Sequence, residues 1–308
     1  MFTKILYPTA FEQFYKEVLG CITNLKRVGT EEIVLLHVVH APHYPAATDG
    51  YFLKMANTIR RLLDSKMEEA VQVVESAGMK AKIRIELGEP CREILKVANE
   101  EKVSLIVAGR ERKGYMGEIL VGSITDRVVR HGTTPVYIPK CPDIYGEATK
   151  VPAAFCRDPF RRILYPTDWS ECAQIALQYL KGIRDPSVEE VLVAHIMDEK
   201  AMKLQKEENF REFERIDQEK LDGVKEELEN EGFKVRTLLR VGNPRAELIR
   251  IAAEEGISLI LMGTHGKGRM KGILWGSVSR NTAEYSETPI ILIKGDACLS
   301  GGGEAQQG

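Results

Sequence analysis

The chain has 308 residues, 44% of them hydrophobic and 29% charged, a length and balance that suit two soluble domains each burying its own core. Its 43 basic and 45 acidic side chains leave a net charge of -2, so neither nucleic acid nor an anionic membrane is an expected partner. No apolar run approaches the roughly 18 residues of a membrane span, and Met1-Phe-Thr-Lys-Ile-Leu-Tyr-Pro8 meets a proline too early for a signal sequence, which predicts a cytoplasmic protein.

From the N-terminus, apolar β-type runs alternate with helical segments. The first half reads as strands near 4–8, 32–39, 81–86, 104–109 and 135–139, with helices near 11–27, 51–77, 90–101 and 121–131. Residues 141–160 carry Pro142, Pro152 and Pro159 without hydrophobic periodicity and read as a linker. The second half repeats the alternation, with strands near 162–166, 190–197, 234–240, 258–263 and 289–293 and helices near 170–183, 200–231, 244–255 and 276–286. Alternating units of this kind imply a parallel sheet covered by helices on both faces, and the continuous apolar runs Ile33-Val-Leu-Leu36 and Leu259-Ile-Leu-Met262 suit strands buried on both sides. In the charged stretch from Glu199 to Gly232, Phe210, Phe213, Ile216, Leu221, Val224 and Leu228 recur at helical spacing, so a solvated helix with one buried stripe is expected. The glycine-rich tail 296–308 is expected to be disordered.

The six cysteines form no C-x-x-C pair, so reduced, mostly buried thiols are expected and neither a zinc nor a redox motif is supported. His40 and His43 lack further ligands, so no metal site is expected there.

The two halves are one unit written twice. Lys4-Ile-Leu-Tyr-Pro-Thr9 recurs as Arg162-Ile-Leu-Tyr-Pro-Thr167, and His37 recurs as His195, at an offset of 158 residues. Gly88-x-Pro90 then matches Gly242-x-Pro244, and Gly122-Ser123 matches Gly276-Ser277, at an offset of 154. A period this long means duplicated domains, because solenoid repeats run to roughly 20–50 residues.

The stretch richest in chemistry is Gly263-Thr-His-Gly266-Lys-Gly268-Arg-Met-Lys-Gly272-Ile-Leu-Trp-Gly276-Ser277, which follows a buried-strand pattern and precedes a helical one. Free N–H groups of such a loop and helix N-terminus favour an anion such as phosphate. The P-loop pattern fails because Arg269 and Met270 follow Gly268, and the dinucleotide fingerprint fails because Gly272 comes one residue late. What is met is Gly-x2-Gly-x9-Gly-[Ser/Thr], through Gly263, Gly266, Gly276 and Ser277. Pro166-Thr167-Asp168 stand at another strand end, where ligands of open parallel sheets bind.

This pattern resembles the nucleotide-binding signature of the ATP-binding universal stress proteins, and the resemblance covers nearly the whole chain as a tandem pair. It implies two Rossmann-like domains of the adenine nucleotide alpha hydrolase-like type, at residues 1–140 and 161–295, each a five-stranded parallel sheet of order 3-2-1-4-5. It implies ATP or AMP as ligand, with Mg²⁺ entering only as a companion of ATP. Carried onto this sequence, Asp168 meets the adenosine, the backbone of Ile196 meets the adenine, and Gly263, Gly266, Gly276, Ser277, Val278 and Ser279 hold phosphate, with Pro166, Thr167, Met262 and His265 beside them. Lys267 and Arg269 are flexible cations next to this cradle, whereas His195 and His37 read as satisfied structural histidines.

The first half departs from the pattern at two positions. Ala10 stands where the second half has Asp168, and Arg112 where it has Gly266, while Pro8, Thr9, Val38, Gly109, Gly122 and Ser123 still outline a weaker site. Losing a charged hydrogen-bond partner costs roughly 1.5–3 kcal/mol, and a side chain forced into a glycine-only conformation at 112 would cost roughly 1–3 kcal/mol. The second half is therefore the expected principal site. The resemblance also implies that the halves pair through their last strands as an internal pseudo-dimer, and it leaves homodimers of whole chains open. The expected function is nucleotide-dependent conformation or partner binding in stress response. Its competitors are a slow ATPase or self-phosphorylating protein, with Ser277, Ser279 or Thr264 as acceptor, and an interaction scaffold with a vestigial pocket.

Overall fold

The computed structural model describes residues 1–9, 15–40, 49–113, 118–140, 158–202, 207–266 and 275–294. Ala10, His43, Lys267, Arg269, the linker through residue 157 and the tail from residue 295 lie outside these. The chain divides into two compact units, Met1–Arg157 and Asp158–Gly308.

The first unit runs β1 (Lys4–Pro8), α1 (Tyr15–Thr23), a 3-10 turn (Asn24–Val28), β2 (Glu32–His40), α2 (Asp49–Ser76), β3 (Lys80–Gly88), α3 (Pro90–Glu100) and β4 (Leu105–Val107). It continues through β5 (Arg110–Lys113), β6 (Glu118–Val121), α4 (Ser123–His131) and β7 (Val136–Ile138). Its sheet has the order β3-β2-β1-β4-β7, all parallel, which is the 3-2-1-4-5 arrangement. The second unit runs β8 (Arg162–Pro166), α5 (Glu171–Lys181), β9 (Glu190–Asp198), α6 (Glu199–Met202), α7 (Glu207–Asn230), β10 (Val235–Gly242), α8 (Pro244–Glu254), β11 (Leu259–Gly263), α9 (Ser277–Tyr285) and β12 (Ile290–Ile293). Its sheet order β10-β9-β8-β11-β12 is the same arrangement.

Strands at the centre of each sheet are hydrophobic throughout because helices cover both faces: Ile33 to Leu36 and Leu259 to Leu261 are fully buried. The repeated Gly-x-Pro motif marks a helix start. Glu89 accepts hydrogen bonds from the amides of Cys91 and Arg92, Asn243 accepts one from Arg245, and each is followed by a proline in the first turn, where its missing N–H costs nothing.

Three expectations need correction. The predicted first-half loop after β4 is an antiparallel hairpin, β5 against β6, in which the backbone of Arg112 pairs with that of Ile119. Of the single helix expected over 200–231 the described residues form α6 and α7, and the expected stripe is buried only toward the C-terminus: Leu221 and Leu228 are fully covered while Phe213 is 41% exposed. Cys91 is a buried free thiol, but Cys21 and Cys172 are each engaged in a disulfide, so the expectation of reduced thiols fails for those two.

Candidate functional site

A cleft of about 1470 Å³ opens at the carboxyl ends of β8, β9 and β11. It gathers Pro166, Thr167, Asp168, Ile196, Met262, Gly263, His265, Gly266, Gly276, Ser277, Val278 and Ser279, so the fold brings together every residue expected of the second-half site. These come from three separate strand ends and the start of α9, and the strand order explains the convergence: β8 lies between β9 and β11.

At one side of the cleft the backbone of β9 is open. The amide of Thr167 donates to the carbonyl of Ala194 at 2.9 Å, and pairing of β8 with β9 ends at Pro166 opposite Ala194. Backbone groups two residues apart on a strand face the same side, so the N–H and C=O of Ile196 point to where β8 no longer runs. That is a donor and an acceptor side by side, suited to the edge of a heteroaromatic base. The first unit repeats it, with Thr9 donating to Leu36 at 2.8 Å ahead of Val38.

At the other side α9 begins. Its N-cap Gly276 supplies no side-chain acceptor, so the first-turn amides of Ser277, Val278 and Ser279 have no side-chain cap. Gly276 donates to the Thr264 carbonyl at 2.9 Å, and the Ser279 hydroxyl donates to the same carbonyl at 2.7 Å, which pins the helix start to the end of β11. A Cβ at position 276 would stand 2.8 Å from that carbonyl oxygen. The hydroxyl of Ser279 is thus engaged in holding the loop, and only its amide faces the role assigned to it. Of the three hydroxyls considered as phosphoryl acceptors, Thr264 and Ser279 are buried, whereas Ser277 is exposed.

Between these ends lies Asp168. Its Oδ1 accepts from the Ser170 amide at 3.1 Å, and the Ser170 hydroxyl donates to the His265 carbonyl at 3.3 Å, linking the β8 end to the glycine loop. Ser170 also caps α5 by accepting from the Ala173 amide. Below them Tyr165 donates to the Ala173 carbonyl at 2.7 Å, and burial pushes its phenol well above the usual range. Gly266 packs directly on the Asp168 carboxylate: a Cβ there would collide with Oδ2. The conformational reason expected for this glycine is therefore replaced by a steric one, since Gly266 is not among the residues of positive φ. Gly263 is likewise required by contact, because a Cβ would lie 2.8 Å from the Cys172 backbone.

His195 is buried, as a structural histidine should be, with Nδ1 2.7 Å from the Thr167 carbonyl, and its counterpart His37 has Nδ1 3.0 Å from the Thr9 carbonyl. His265 has Nδ1 3.0 Å from the Thr264 hydroxyl and lines the cleft. Sequence reasoning missed Asp217, Lys220 and Phe213 of α7 and Arg245 of α8, which complete the walls. Their only signal was membership of amphipathic helices, and that says nothing about which turn faces a ligand. In the first unit, Gly122 caps α4 as Gly276 caps α9, and Thr125 donates to the Gly109 carbonyl at 2.7 Å.

A parallel α/β unit written twice, with a cleft at the strand ends of the second copy, defines a class, and comparison with known proteins gives the family. The Universal stress protein family model matches residues 1–140 and again 159–294. The chain belongs to that family, as a tandem of two such domains. It is 37% identical over 154 residues to the Universal stress protein MJ0577 of Methanocaldococcus jannaschii, an alignment covering 44% of this chain and 95% of the relative. It is 24% identical over 272 residues to the Universal stress protein Slr1230 of Synechocystis, covering 87% and 80%. The crystal structure of a universal stress protein from Archaeoglobus fulgidus superposes with a TM-score of 0.68 at 25% identity, covering 95% of this chain and 97% of that one.

Proposed function

We propose that the second unit binds an adenine nucleotide, ATP or AMP, and that occupancy changes the conformation or partner binding of a cytoplasmic stress-response protein. One observation carries the reading. The uncapped start of α9, the Asp168 carboxylate and the open backbone of Ile196 line one cleft, presenting in order an anion cradle, an acceptor for ribose hydroxyls and a hydrogen-bonding edge for a base. Membership of the universal stress protein family supports the stress-response role. Within the same proposal the first unit is a weaker site, since Arg112 lies in the β5–β6 hairpin.

Calorimetric titration with ATP and AMP tests it. Gly276→Val places side-chain atoms against the Thr264 carbonyl and displaces the start of α9, so ATP binding weakens at least about ten-fold, roughly 1.4 kcal/mol. Unchanged affinity in a folded Gly276→Val protein overturns the assignment.

A further inference from the structure

Asp217 projects from α7 to the cleft and touches two residues that the sequence motif does not include. Its Oδ1 accepts from Trp169 Nε1 at 2.9 Å, and its Oδ2 lies 3.2 Å from His195 Nε2. The Trp169 and His195 rings pack on each other with centroids 4.9 Å apart. Lys220, one turn along α7, places its Nζ 5.5 Å from the centre of the Trp169 ring and 3.7 Å from Asp217 Oδ1. His195 is anchored at its other nitrogen by the Thr167 carbonyl. One carboxylate thereby ties α7 to the loop after β8 and to the end of β9.

The position of the tied residues gives the contact its meaning. Trp169 immediately follows Asp168, and His195 immediately precedes Ile196. Trp169 also has φ +64, a left-handed backbone conformation that a bulky side chain adopts only when its surroundings hold it there. That turn aims the chain from Thr167 through Asp168 to Ser170, whose amide bonds Asp168 Oδ1. Asp217 thus fixes, through one neighbour each, both groups that face the nucleoside end of the cleft.

The two units differ at this point as they do at the motif. The ends of α2 and α7 correspond at the offset of 154, since Gly78 and Gly232, both of positive φ, follow them, and this places Leu63 where the second unit has Asp217. His37 keeps its contact with the Thr9 carbonyl, yet the residue matched to Asp217 on the facing helix carries no carboxylate. The tie accompanies the complete motif.

We propose that Asp217 is a positioning residue for the nucleoside, holding Asp168 and the Ile196 backbone at a fixed separation through Trp169 and His195. This rests on the nucleotide reading above. Its test is a double-mutant cycle read by ATP titration of the full chain, with Asp217→Ala, Asp168→Ala and both together. Asp217→Ala alone weakens ATP about ten-fold, and its effect shrinks to less than about three-fold in the Asp168→Ala background, since the carboxylate it positions is gone. Equal factors in the two backgrounds would mark Asp217 as general structural support and overturn the proposal, as would wild-type affinity in folded Asp217→Ala. Trp169→Phe, which keeps a ring and removes the N–H, serves where Asp217→Ala fails to fold: it weakens ATP several-fold, and undiminished affinity overturns the proposal. Should the unmodified chain bind no ATP, the nucleotide reading falls and this one with it; should it bind ATP while the variants do too, only the role of Asp217 falls.

Discussion

At Gly266 the two halves explain each other. A side chain at this position meets Asp168 Oδ2, so the carboxylate and the glycine form a matched pair. The first half has Ala10 in place of the aspartate and Arg112 in place of the glycine. Removing the Asp168 carboxylate removes that steric bar to a side chain at position 266. Gly266→Ala is expected to destabilise the protein by about 1 kcal/mol through overpacking, and Asp168→Ala in the same chain should recover most of that loss. Thermal unfolding of the two single variants and the double variant measures the coupling; simple additivity would show that the pair is not matched.

Among the elements, the helix that follows the third strand of each half ends in a carboxylate that gathers cations from the strands. Glu101, just beyond α3, lies 2.7 Å from Lys4 of β1 and 2.8 Å from both Lys82 and Arg84 of β3. Arg236 of β10 pairs in the same manner with Glu255 after α8. The hydrogen bond from Lys4, reinforced by Lys82 and Arg84, lowers the Glu101 carboxyl from 4.5 to about 2. A carboxyl with a depressed folded value adds stability that is fully present above the unfolded value and disappears as pH falls from about 4.5 toward 2. Glu101→Gln should therefore cost about 1–2 kcal/mol at pH 7, discounted because Lys4, Lys82 and Arg84 are partly exposed, and the cost should fade on acidification through that window. Urea unfolding at pH 7 and pH 3 checks it; a loss that does not depend on pH would point to packing instead. The β5–β6 hairpin gives backbone hydrogen bonds to the first-unit stretch that carries Arg112.

For the molecule as a whole, duplication has kept the scaffold and allowed the sites to diverge. Both units have the same strand order, the open backbone near the end of the second strand, and a glycine-capped helix after the fourth. The aspartate, the glycine that packs on it and the Asp217 tie belong to the second. One tight site per chain is the expected stoichiometry in calorimetry with ATP, and Ala10→Asp with Arg112→Gly should strengthen the weaker site. Two equal, independent, tight sites in the unmodified protein would show that the first-half departures are harmless.

The fold and the repeat were legible because they are written in local patterns. Apolar runs of strand length, Gly-x-Pro helix starts and the recurrence of Lys4 to Thr9 as Arg162 to Thr167 need no tertiary information to be read. The motif glycines and Asp168 were legible in type and spacing as well. Their reasons were not: that Gly266 is bounded by a carboxylate and Gly276 by a carbonyl depends on distances between segments roughly 100 and 10 residues apart, which no local pattern encodes. The hairpin at Arg112 escaped for a related cause, since its pairing is decided by competition between strand and loop hydrogen bonding. Asp217 was the least legible of all. In sequence it is one acid among many on a charged helix, and only the packing of α7 against the ends of β8 and β9 turns that acid toward Trp169 and His195.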